Sequence, residues 1–278
     1  MNETKYLRSV LDEIGYSVHN LNTIAVALSN LPSDSFVDPA LNIKWKPKSV
    51  STSSIAARRF AVRSSIVFAA ETLFEYMNCI SEDVIWKELN NGLNFNVALT
   101  VHDSKAKRFS EFCKFIPNID KEWYLLVELL CHWRNRIVHT STSKAQLSSS
   151  DRQFLESKST NLYKHFHHFD VNKALRDYEA DKVTLKEATT LITFLIKCCR
   201  KIDEHFINSI SKLSDKIYYK RLDIDEQLTK LRKQQLGSKR TRQIAKYIEI
   251  ELSFLSSEKR AEFAKKYTSQ IVYKNKNN

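Results

Sequence analysis

The chain has 278 residues, a net charge of +12 and 42% hydrophobic residues. Its three glycines (Gly15, Gly92 and Gly237) make about 1% of the chain against a usual ~7%. That scarcity excludes a glycine-rich phosphate loop, a dinucleotide-binding fingerprint and a many-turned β-sandwich, and leaves an all-α protein of long helices joined by polar loops.

Residues 4–31 place apolar side chains at helical spacing (Leu7, Leu11, Ile14, Val18, Leu21, Ile24, Leu28) until Pro32 ends the pattern. Residues 32–54 hold Pro32, Pro39, Pro47 and a Ser/Thr cluster, which reads as a loop and a first boundary. A helix is predicted over Ile55–Ile80 with Ile66, Ala70, Leu73, Met77 and Ile80 on its apolar face, then a looser segment through Asn90–Asn96. A short helix over Ser104–Ile116, another from Lys121 to about His139, a flexible Ser/Thr-rich loop over Thr140–Ser150 and a long helix over Leu185–Ile210 follow. Two or three charged helices broken near Gly237 close the chain. The expected organisation is an N-terminal helical arm (1–50), a helical core (51–212) and a basic helical extension (213–278).

Five cysteines, odd in number and without a CxxC pair, read as small buried hydrophobes in a reducing compartment. The N-terminus lacks a signal-peptide core, and the apolar windows near Ile66–Ala70 and Leu191–Ile196 are too short to span a bilayer. The expected location is cytoplasmic, with no membrane partner. From Leu213 onward 16 basic residues face 8 acidic ones. A surplus of that kind favours polyanionic partners. The stretch holding Lys230, Arg232, Lys233, Lys239, Arg240, Arg242 and Lys246 would either track an RNA backbone or form an ordinary solvated face. His165, His167 and His168 lack a carboxylate or cysteine at a metal-ligand spacing, so no metal site is expected there.

Chemistry concentrates in Cys131-His132-Trp133-Arg134-Asn135-Arg136-Ile137-Val138-His139. On a helical wheel Leu126, Leu129, Leu130, Trp133, Ile137 and Val138 form a broad arc expected to be buried. Glu128, His132, Asn135 and His139 form a narrow polar stripe. Arg134 lies between Leu130 and Val138, at the core edge. A guanidinium there needs a counter-charge, either a carboxylate such as Glu71 or Glu75 on the preceding helix, or a phosphate.

Arg134-Asn135-Arg136-Ile137-Val138-His139 resembles the Arg-x4-His motif of the HEPN family, all-helical proteins that include prokaryotic endoribonuclease toxins and antiviral effectors. Phe68–Asn78, with Glu75 followed three residues later by Asn78, looks like that family's first core helix, and Thr184–Ile210 like its last. The resemblance covers roughly residues 55–212 and implies a four-to-five-helix HEPN-like bundle with a terminal extension at each end. It also implies a homodimeric, metal-independent and cofactor-free ribonuclease that acts on tRNA or mRNA, under an antitoxin or other regulatory partner. Arg134, His139, Asn135 and Glu75 are then the expected catalytic residues, with Glu71 as rival to Glu75. Arg136, His132 and Glu71 are the expected substrate contacts, unless His132 is simply exposed and paired with Glu128. The run His139-Thr140-Ser141 lacks the tyrosine that one toxin group carries two residues after its histidine, so regulation through such a residue is not expected.

Overall fold

The computed structural model describes residues 3–89, 104–139, 146–210, 213–235 and 237–269, and among these the regular elements are all helical. The first helix, α1 (Lys5–Ser29), starts where the Thr4 hydroxyl accepts from the Leu7 amide at 3.1 Å. It lies along α2 (Val50–Glu82), which follows a 3-10 turn over Pro39–Leu41. Ser49 caps α2 by accepting from Thr52, so the helix begins at Val50 and takes in the Ser/Thr cluster expected to be loop. Among the described residues the short helices α3 (Val84–Leu89) and α4 (Lys105–Lys114) precede the central α5 (Lys121–Val138). The looser segment expected over Asn90–Asn96 lies outside the described residues.

Three helices then occupy a region where the apolar pattern had predicted none: α6 (Ser149–Ser157), α7 (Ser159–His165) and α8 (Val171–Glu179). Ser148 and Asp170 supply side-chain caps to α6 and α8, so the first of these helices starts inside the expected loop over Thr140–Ser150. The long α9 (Leu185–Ile210) keeps the predicted bounds. Among the described residues four helices rather than two or three follow: α10 (Asp215–Asp223), α11 (Glu226–Arg232), α12 (Ser238–Glu251) and α13 (Ser257–Ser269).

α5 is the axis of the molecule, packed on α2, α4 and α9. Every residue from Tyr124 to Trp133 is buried, so this stretch is enclosed on all sides. One apolar cluster runs through both expected boundaries, from Leu7, Val10 and Ile14 of α1 to Ile248 of α12 and Phe263 of α13. Polar ties join the same parts. Thr4 donates through its amide (3.1 Å) and its hydroxyl to Asp203 of α9, and Lys5 bonds Glu251 of α12 at 2.6 Å. Arg221 of α10, 8% exposed, bridges Asp83 (3.2 Å) and Glu251 (3.0 Å), so its buried charge is matched. Of the cysteines, Cys113, Cys131, Cys198 and Cys199 are buried and Cys79 is half-buried; all are free thiols. No helix among the described residues is long and apolar enough to cross a membrane.

Candidate active site

The polar stripe predicted for α5 divides into a buried half and an open half. Glu128 and His132, 1% and 2% exposed, face α4 instead of solvent, which corrects the expectation of an exposed His132. A wheel cannot register that α4 covers this side. The covering helix brings its own polar partners: Lys107 Nζ lies 2.6 Å from Glu128 Oε1, and the Ser110 hydroxyl donates to Glu128 Oε2. His132 Nε2 completes the group at 3.3 Å from Glu128. Burial acts to raise the pKa of Glu128, but the hydrogen bonds from His132, Lys107 and Ser110 outweigh it and hold the carboxyl below its ordinary range. His132 is therefore a partner of a buried carboxylate, walled off from the surface.

Beyond Trp133 the helix emerges. Trp133 is 1% exposed and meets Tyr178 of α8 edge-on at 4.9 Å, whereas Val138, expected in the buried arc, is 44% exposed. From Arg134 to Ile137 the last turn of α5 is half-buried, and Val138 and His139 are exposed. In that last turn the His139 amide donates to the Asn135 carbonyl at 2.8 Å, which sets His139 one turn above Asn135. Arg134 Nη1 donates to Asn135 Oδ1 and reaches His139 Nε2, both at 3.2 Å. A guanidinium has donors only, so in a hydrogen bond between them Nε2 serves as the acceptor.

On its other edge Arg134 meets Glu71 of α2, with Nε at 2.6 Å and Nη2 at 2.5 Å from the same oxygen, Oε1. Lys105 Nζ of α4 stands 4.0 Å from the second oxygen of Glu71. Sequence patterning carried no signal for this lysine. Every nitrogen of Arg134 thus has a protein partner. Glu71, 44% exposed, is the carboxylate that meets the arginine. Glu75 does not join the group. It is exposed on the α1 side of α2, where it accepts from Cys79 Sγ at 3.4 Å and lines a small cavity of about 280 Å³ with Lys5, Glu13 and Tyr76.

Arg136 points away from this cluster. Its Nη1 and Nη2 donate to the carbonyls of Tyr178 and Glu179, the latter at 3.3 Å, and its Nε lies 3.4 Å from Asp181. The guanidinium also covers the ring of Tyr178 at 5.1 Å. It binds the open carbonyl end of α8 to α5, as a cation at a helix C-terminus does.

An apolar strip leads up to the cluster. Phe60 and Phe68 of α2 are 74% and 42% exposed, and with Val67, Ile137, Arg63 and Glu71 they line a groove of about 570 Å³. A second groove of about 680 Å³ continues it between α1 and α2, past Tyr16 and Ile24. Among the described residues no three His, Cys, Asp or Glu side chains are grouped to hold a metal ion. His165 ends α7, while His167 and His168 take left-handed backbone angles (φ 49° and 58°) that turn the chain toward α8. Compared with known proteins, the chain matches no family model, no curated sequence and no solved structure.

Proposed function

We propose that the chain is an endoribonuclease of the HEPN type, with α2, α5 and α9 as the heart of a HEPN-like bundle. The observation that carries this reading is the meeting of Arg134, Asn135 and His139 within 3.2 Å at an open helix end. RNA supplies its own nucleophile, the 2′-hydroxyl, so cleavage needs a base for that proton and a cation for the charge that builds on phosphorus. Once the phosphate draws Arg134 Nη1 away from His139 Nε2, the freed lone pair of Nε2 takes the proton. As the 2′-oxygen bonds to phosphorus, the P–O5′ bond breaks and a second imidazole returns a proton to the 5′-oxygen. Arg134 stabilises the phosphorane, where charge is greatest, and Asn135 keeps the guanidinium and imidazole in register. The products are a 2′,3′-cyclic phosphate and a 5′-hydroxyl.

The second imidazole comes from a second copy. Exposed apolar side chains grouped on one face favour burial against a protein. The strip of Phe60, Val67, Phe68 and Ile137 ends at the cluster, so a two-fold contact there would bring two Arg134–His139 pairs to one cleft. The cytoplasmic setting, a role as toxin or antiphage effector, and an antitoxin or other regulatory partner come with the family resemblance.

Purified protein incubated with total tRNA in EDTA tests the reading: full activity with 2′,3′-cyclic phosphate ends is expected, and dependence on added Mg²⁺ contradicts it. One observation favours a second reading. All of Arg134's nitrogens are satisfied within the chain, as in a helix clamp of a non-catalytic RNA-binding or assembly scaffold. Protein that leaves tRNA intact under every ionic condition would support that scaffold.

A further inference from the structure

Between Leu228 and Tyr247 the chain carries seven cations and no acidic residue. Packing divides them. Arg240 is buried at 5% exposure, the Arg232 guanidinium lies 5.3 Å above the ring of Tyr267, and Lys230 stands 3.8 Å from Glu226. Lys233, Lys239, Arg242 and Lys246 are exposed, with no ion pair among the described residues.

Three of these four share one line of α12. Lys239, Arg242 and Lys246 follow the spacing i, i+3, i+7, which spans about 10 Å of helix. The buried side chains of the same helix, Arg240, Ile244, Ile248 and Glu251, lie on the opposite face. The helix is therefore anchored through that buried face and holds these three cations out to solvent. Glu249 closes the line at its C-terminal end. A membrane-binding face would instead set large apolar side chains among its cations. Ile250, the one exposed large apolar residue of α12, lies past Glu249.

We infer that this face of α12 is an RNA anchor that grips the phosphate backbone of the substrate away from the cleavage cluster, without reading its bases. The inference rests on the reading of the chain as a ribonuclease, because it names a second contact for the same substrate.

The test uses the full chain and a fluorescently labelled 2′-O-methyl oligoribonucleotide, which binds but lacks the nucleophile. Affinity is followed by anisotropy across a series of KCl concentrations, for the parent protein and for Lys239→Gln/Arg242→Gln/Lys246→Gln. Removing three single-strand phosphate contacts should flatten the slope of log K against log salt by about 2. The KM for tRNA cleavage should rise while kcat is kept. An unchanged slope in a variant that still cleaves tRNA overturns the anchor and spares the ribonuclease. Loss of binding in the variant, when neither protein cleaves any RNA, spares the anchor and overturns the ribonuclease. Binding to phosphatidylserine vesicles through the same residues, with no affinity for the oligoribonucleotide, overturns the anchor in favour of a membrane surface.

Discussion

Glu71→Gln is the substitution whose sign says most about the cluster. Glu71 Oε1 takes two donors of Arg134, at 2.6 and 2.5 Å, the donors that the proposed mechanism gives to a phosphate oxygen. Glutamine keeps the shape and one acceptor but gives up the charge. The pair lies between two regimes, since Arg134 is 17% exposed and Glu71 44%. An exposed ion pair contributes up to about 1 kcal/mol, and a buried charge-assisted hydrogen bond about 1.5–3 kcal/mol. A value near 1 kcal/mol follows, or roughly a fivefold change in an equilibrium constant. Glu71→Gln should therefore tighten binding of an uncleavable 2′-O-methyl RNA about fivefold, measured by anisotropy at fixed salt, because the phosphate no longer displaces a carboxylate. The same loss should lower the melting temperature by about 2 °C. Weaker RNA binding in this variant would refute the reasoning, since it would make Glu71 a support for the bound state.

Arg136→Lys keeps a cation but loses the fork that spans the Tyr178 and Glu179 carbonyls, so it should cost about 2 kcal/mol of stability while cleavage per folded molecule holds; thermal melts and rates measured together check this. Asp203 gives a pH dependence of known sign. Burial pushes its carboxyl up to about 6, against the opposing hydrogen bonds from Thr4. The fold thus favours the protonated form, and that stabilisation is complete below about pH 4 and lost as pH rises through about 6. Asp203→Asn removes the step, so urea unfolding should show the variant gaining on the parent between those limits by at most about 3 kcal/mol; equal pH profiles would contradict it. Phe68→Glu should convert a dimer to a monomer by light scattering and reduce cleavage; a parent protein that is monomeric while fully active would count against the shared cleft.

Much of the helical scaffold was legible because apolar spacing and caps agree. α9 runs between the predicted residues, and α1 and α2 follow their apolar lines. The three short helices from Ser149 to Glu179 were not legible, because their start lies in a Ser/Thr-rich run whose composition favours loop, and the Ser148 cap decides the matter locally. The site was half legible. A wheel brings Arg134, Asn135 and His139 to one end of α5, but it treats Glu128 and His132 as the same stripe, since the cover provided by α4 is a tertiary fact. Glu71 and Glu75 sit one turn apart on α2, only about 40° around the helix, so periodicity could not choose between them. The packing of α1 did, by taking Glu75 to its own side. Arg136 was read as a substrate contact from its place in the motif, and α8, which occupies it, belonged to the helices that the pattern hid.

The claim on which the account turns is that the His139 imidazole moves a proton during RNA cleavage. The direct measurement is the rate at which His139→Ala cleaves tRNA beside the parent protein, with circular dichroism and melting temperature recorded for both. His139 is exposed at the end of α5, so its side chain contributes little to packing and the fold should be unchanged. The account predicts a rate lower by about 10²–10⁴-fold at equal folded concentration. A variant that cleaves at the parental rate would contradict it.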